Sequence, residues 1–123
     1  MRPVNLSDQN SILIIDDNPE VHKIFKMILS EYPLVHAYDG LQGITLLQTC
    51  KRISLVFTDH MMPDLDGFDV IKWIKEHECM LPVCLMSGNE DLKTAAYEAG
   101  AVCFLQKPLD LTEILSKVQR LMK

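Results

Sequence analysis

The run Ile12-Leu13-Ile14-Ile15 stops abruptly at Asp16-Asp17, and this stretch decides the fold. Four consecutive apolar residues, mostly β-branched, suit a strand covered on both faces, as in a parallel sheet. From Pro19 the period changes. Val21, Ile24, Phe25, Ile28 and Leu29 fall at i, i+3, i+4, i+7 and i+8, which is one helical stripe. Pro19 in the first turn, with acidic Glu20 beside it, supplies the starting signals of that helix.

Working outward, the same alternation repeats to the end of the chain. Residues 34–38 form a short strand in which His36 suggests an exposed edge, and Leu41, Ile44 and Leu47 mark a second helix. A third strand over 53–58 stops at Asp59, and a loop with Pro63 and Gly67 leads to a helix carrying Val70, Ile71 and Ile74. Pro82 opens a strand over 83–86 that ends at Ser87-Gly88. Leu92, Ala95, Ala96 and Ala99 give a thin helical stripe of small residues over 90–99, closed by Gly100 as C-cap. A last strand over 102–105 ends at Lys107-Pro108, and Leu111, Ile114, Leu115, Val118 and Met122 line the final helix. Five strands alternating with five helices predict an α/β fold with a parallel sheet, helices on both faces through right-handed crossovers.

The chain of 123 residues suits one domain, expected over 11–123 after a loose leader at 1–10. A hydrophobic fraction of 48% and a charged fraction of 24% are those of an ordinary globular domain, which excludes disordered, collagen-like and disulfide-dominated classes. No run approaches the roughly 20 apolar residues that span a bilayer, and no charged leader precedes an apolar stretch, so a soluble protein is expected. With 12 basic against 17 acidic residues the net charge is -5, without the basic excess of a nucleic-acid binder. Cys50, Cys79, Cys84 and Cys103 show no Cys-x-x-Cys spacing, which argues against structural zinc. Cys84 and Cys103 sit inside apolar runs as small hydrophobes, and a reducing cytoplasm is the natural compartment.

In a parallel sheet all strand C-termini lie along one edge, and open α/β sheets bind ligands in the crevice beyond it. The strands here are followed by Asp16-Asp17, Asp39, Asp59, Ser87 and Lys107, which predicts acids, a hydroxyl and an ammonium meeting at that edge. Clustered carboxylates repel one another unless a cation offsets them. All-oxygen ligands favour magnesium, manganese or calcium over zinc, and magnesium, which takes one or two carboxylates with waters and phosphate oxygens, fits best. An ion and Lys107 would neutralise a phosphoryl group, Ser87 would hydrogen-bond it, and an aspartate can accept it as an acyl phosphate.

Ile14-Ile15-Asp16-Asp17, Thr58-Asp59 with Met62-Pro63 and Asp66-Gly67, Met86-Ser87-Gly88, and Phe104-Leu105 with Lys107-Pro108 together resemble the receiver domains of two-component response regulators. The resemblance runs from about Ser11 to the C-terminus. It implies a flavodoxin-like (βα)5 fold, a doubly wound five-stranded parallel sheet of order 2-1-3-4-5. It implies that Asp59 is the phosphoacceptor, that Asp17 ligates magnesium (or manganese) directly and Asp16 mainly through water, and that the Met61 backbone carbonyl adds a ligand. Ser87 takes the place of the switch hydroxyl, Phe104 that of the switch aromatic, and Lys107 contacts the phosphate through a loop whose Pro108 is cis. The implied partner is a sensor histidine kinase or histidine phosphotransfer protein. Phosphorylation would switch the face over residues 90–106 to control a partner, an output domain or a second copy. Such a domain is a signalling module, not an enzyme, although it assists its own phosphotransfer and slow autodephosphorylation.

Simpler roles stand beside these. Asp66 precedes a helix and caps it, Asp64 is a surface residue, and the simpler role of Phe104 is core packing. His22, His36, His60 and His77 never pair at metal-ligand spacing and are surface or packing residues. A magnesium-dependent phosphohydrolase with an aspartyl nucleophile is a rival, but its second acid, two residues on, would fall at Met61. A Gly-x-x-x-x-Gly-Lys-[Ser/Thr] loop is absent, and Asp17-Asn18-Pro19 stands where a dinucleotide site needs glycines. A receiver-like scaffold that binds partners without phosphate is the remaining alternative.

Overall fold

In the computed structural model, which describes residues 10–78 and 80–122, the strands β1 (Ser11–Ile15), β2 (Leu34–Ala37), β3 (Ile53–Asp59), β4 (Val83–Ser87) and β5 (Cys103–Gln106) alternate with five α-helices. The leader expected over 1–10 lies outside the described residues apart from Asn10, and so does Cys79. All pairings are parallel, and the sheet order is β2-β1-β3-β4-β5, the flavodoxin-like order. Every residue of β1 and β4 is buried, which is why their sequences read as unbroken apolar runs.

Strand alternation divides the core into two layers. Leu13, Ile15, Val56 and Leu85 face one way, against Leu47 of α2 (Gly40–Thr49), Val70, Ile71 and Ile74 of α3 (Gly67–His77) and Ala96 of α4 (Lys93–Ala99). Ile12, Ile14, Leu55, Phe57 and Met86 face the other, against Val21 and Phe25 of α1 (Pro19–Ile28) and Ile114 and Val118 of α5 (Leu111–Leu121). Cys84 and Cys103 are free and buried in this second layer, opposite one another on β4 and β5.

The helix ends follow local chemistry. Asn18 caps α1 by accepting from the Glu20 N–H, with Pro19 opening the first turn. Asp66 and Asp69 form a reciprocal capping box at α3, at 3.0 and 2.9 Å. Asp66→Ala is expected to lower stability by about 1 kcal/mol, read as a lower urea midpoint at unchanged slope. The helix expected over 90–99 is shorter as an α-helix. Residues Glu90–Leu92 form a 3-10 turn, capped by Asn89, before α4 begins at Lys93. Gly100 takes the left-handed conformation (φ 116°) that ends α4, and its N–H returns to Ala96 and Tyr97. No helix among the described residues is long and apolar enough to cross a membrane.

Candidate functional site

The two central strands β1 and β3 lie side by side, and their ends carry the acids. Asp16, the residue after β1, is fully buried, whereas Asp17 faces outward. Asp59 is the last residue of β3 and is 7% exposed. Oxygens of Asp16, Asp17 and Asp59 come within 4.8 Å of one another. Asp39 does not join them. It follows the edge strand β2, and its carboxylate instead caps α2 by accepting from the Gln42 N–H at 2.8 Å.

Lys107 closes the site from the far side of the sheet. Its Nζ donates to Asp16 Oδ2 at 2.7 Å and pairs with Asp59 Oδ1 at 3.0 Å. The main chain aims this reach, since the Lys107 N–H donates to the Ser87 carbonyl at 2.9 Å and the Lys107–Pro108 peptide is cis. Ser87 is buried at the end of β4, and its hydroxyl oxygen accepts from the Asn89 N–H at 3.0 Å, which leaves the hydroxyl hydrogen available to donate. The β3–α3 connection folds back through the Gly67 N–H to the His60 carbonyl at 2.9 Å, and places Met61 in an exposed position beside Asp59. Phe104 is set apart from the acids. It pairs in register with Leu85, is 7% exposed, and lines a cavity of about 420 Å³ with Glu90, Lys93, Gln106 and Glu113.

The electrostatics reflect crowding of like charge. Burial pushes the Asp59 carboxyl above its ordinary range, Lys107 partly offsets this, and the charge of Asp16 adds to the rise. Burial works against the Lys107 ammonium, but its bonds to Asp16 and Asp59 outweigh that and hold its pKa above 10.5. One ammonium therefore faces three carboxylates, and the all-oxygen donor set suits a hard divalent cation such as magnesium.

Lys107→Met leaves the buried Asp16 carboxylate without its counter-charge and is expected to cost about 3 kcal/mol without added metal. Because the folded pKa of Lys107 is raised, its contribution is complete below the unfolded value and fades as pH climbs through the folded one. The stability gap between wild type and variant should thus be constant from pH 7 to about 10 and narrow above that. Urea titrations across this range check it.

A family model described as the response regulator receiver domain matches residues 12–119. The chain belongs to that family. It is a receiver domain of two-component signalling systems. This receiver domain is 36% identical over 113 residues to the response regulator GtcR of Aneurinibacillus migulanus, covering 89% of the chain and 46% of that protein. It is 30% identical over 115 residues to the DNA-binding transcriptional regulator NtrC of Proteus hauseri, covering 91% of the chain and 24% of that protein. The receiver domain thus spans less than half of these two curated relatives. Among solved structures, the receiver domain of a signal transduction histidine kinase from Syntrophus aciditrophicus superposes with a TM-score of 0.79 at 30% identity, covering 91% of this chain and 89% of that one.

One residue at the site of this receiver domain has no clear sequence signal. His22 is 1% exposed, and its Nε2 lies 2.8 Å from the Asp16 carbonyl oxygen. It follows Val21 on the buried stripe of α1, which is compatible with packing but does not point to Asp16.

Proposed function

We propose that Asp59 accepts a phosphoryl group from the phosphohistidine of a sensor kinase or histidine phosphotransfer protein. The observation that supports this best is the Lys107 ammonium bridging Asp16 and Asp59 at the end of the central strand. A carboxylate oxygen of Asp59 attacks phosphorus, the P–N bond breaks, and its electron pair returns to the imidazole, which is protonated from solvent. Lys107 turns its charge toward the incoming phosphoryl oxygens, and the free hydroxyl hydrogen of Ser87 donates to one of them. Asp16, Asp17, Asp59 and the Met61 carbonyl would hold magnesium, with manganese as a substitute; when bound, the ion neutralises phosphoryl charge.

On this reading the domain is a cytoplasmic signalling module, not a turnover enzyme. The acyl phosphate adds charge and acceptor oxygens within reach of Ser87 and Lys107. Movement of Ser87 is then coupled to Phe104 on the adjacent strand β5. Phosphorylation then shifts the population toward a state in which Phe104 turns inward to fill the space behind Ser87, and the face over residues 90–106 selects a partner, a linked effector or a second copy.

Incubation with magnesium and acetyl phosphate tests the reading by intact mass. A single labile phosphate adduct is expected, abolished by chelation and weakened by Asp17→Ala. Continuous hydrolysis without an adduct would identify a phosphohydrolase, and no reaction with acetyl phosphate or a phosphohistidine donor would leave a scaffold.

A further inference from the structure

A pair of histidines stands behind the acidic cluster. His22 Nδ1 on α1 and His36 Nδ1 on the edge strand β2 are 2.7 Å apart, and the Tyr38 ring covers His22 at a centroid distance of 4.2 Å. The other nitrogen of His22 meets the Asp16 carbonyl at 2.8 Å. A carbonyl only accepts, so His22 Nε2 carries the hydrogen and donates it. In neutral His22 the Nδ1 atom is then a lone pair, and the short contact requires the hydrogen on His36 Nδ1. Burial, then the neighbouring His22 and Lys26, hold His36 below its ordinary range, which disfavours charge on His36. Two hydrogen bonds thus run in one direction, from His36 through His22 to Asp16.

That carbonyl belongs to the peptide joining Asp16 to Asp17. The rest of Asp16 is already pinned: its N–H donates to the Ala37 carbonyl at 3.1 Å, Oδ1 accepts from the Asn18 N–H at 2.9 Å, and Oδ2 accepts from Lys107. Asp17 differs, since its exposed carboxylate receives no hydrogen bond from another described residue. Its aim depends on the backbone, and because the peptide unit is planar, the direction of the Asp16 carbonyl sets the direction in which the chain enters Asp17.

We propose that His22 is a positioning residue that fixes the Asp16–Asp17 peptide so that Asp17 meets Asp59 at the cation site, with His36 locking the His22 tautomer. This rests on the phosphoacceptor reading, through the metal that reading requires. Outer-shell partners that orient metal ligands act in this way, and their loss typically weakens metal binding 10- to 100-fold.

Magnesium affinity of the phosphate-free protein, followed by calorimetry, provides the test. His22→Leu, which keeps an apolar side chain on α1 but loses the donor, is expected to bind magnesium about tenfold more weakly. His22→Gln, whose amide nitrogen occupies roughly the place of Nε2, is expected to recover affinity to within about threefold of wild type. His36→Phe, on the edge strand, keeps the test valid if His22→Leu does not fold. It is expected to weaken binding about threefold and to move the His22 imidazole nitrogen resonances away from the pure Nε2–H pattern. A folded His22→Leu or His36→Phe protein with wild-type magnesium affinity would overturn the positioning role, as would wild-type His22 carrying its hydrogen on Nδ1. A wild-type protein that binds no magnesium would overturn the phosphoacceptor reading itself, and the positioning role with it.

Discussion

Asp59→Asn is expected to abolish phosphorylation by acetyl phosphate and by phosphohistidine donors, with no adduct detectable by intact mass. The amide lacks the nucleophilic charge but keeps the shape, so the loss should be chemical and not structural. The same variant should be modestly more stable than wild type when no metal is present. Burial and Asp16 already disfavour the Asp59 carboxylate, and a neutral side chain escapes that cost while Lys107 keeps its bond to Asp16. The sign with pH follows. Where both side chains are neutral, below the ordinary carboxylate range, the gain vanishes, and it grows as pH rises through the elevated pKa of Asp59. A variant that still acquires phosphate at the wild-type rate would remove Asp59 from the mechanism.

Gly67→Ala is expected to be the most disruptive small change near the site. A methyl carbon added at Gly67 would press on the Asp59 carbonyl oxygen and would itself lie 2.5 Å from Leu85 Cδ1 and 3.1 Å from the His60 Cα. Two of these three neighbours are main chain and cannot rotate away, so the cost belongs at the top of the overpacking range, about 3 kcal/mol. Relief requires the β3–α3 connection to move, which carries Asp59 away from Lys107. The urea midpoint should fall sharply, and phosphorylation of the folded fraction should slow. Gly88, where an added methyl group meets nothing within 4 Å, is the matched control.

The sheet was legible because β1, β3 and β4 are buried on both faces and leave continuous apolar runs that end in polar residues. The meeting of Asp17 with Asp59 was legible for the same reason, since strand ends in a parallel sheet share one edge. What sequence could not give is which strand-end acid is used elsewhere. Asp39 sits in an equivalent position, yet it caps α2, a choice made by the local geometry of the edge strand. Nor could periodicity give the contact between His22 and His36, because a turn of α1 and a residue of β2 meet only after both pack on β1. Stripe membership also overstates burial. Leu41 is 64% exposed in the first turn of α2. The 3-10 turn before α4 leaves no separate mark in the sequence, because an asparagine at its start caps it as it would any helix.

Lys107 and Asp16 stand 91 positions apart in the chain, yet share a 2.7 Å bond. A polypeptide emerging from the ribosome therefore displays Asp16, Asp17 and Asp59 well before their ammonium counterpart is synthesised. Until the strand bearing it docks, the acids gathered at one edge push against each other. Docking of β5, with Lys107 directly after it, relieves that push, so the order of synthesis brings the counter-charge after the acids it serves. A domain cut short before that strand lacks the counter-charge around which its acids are gathered.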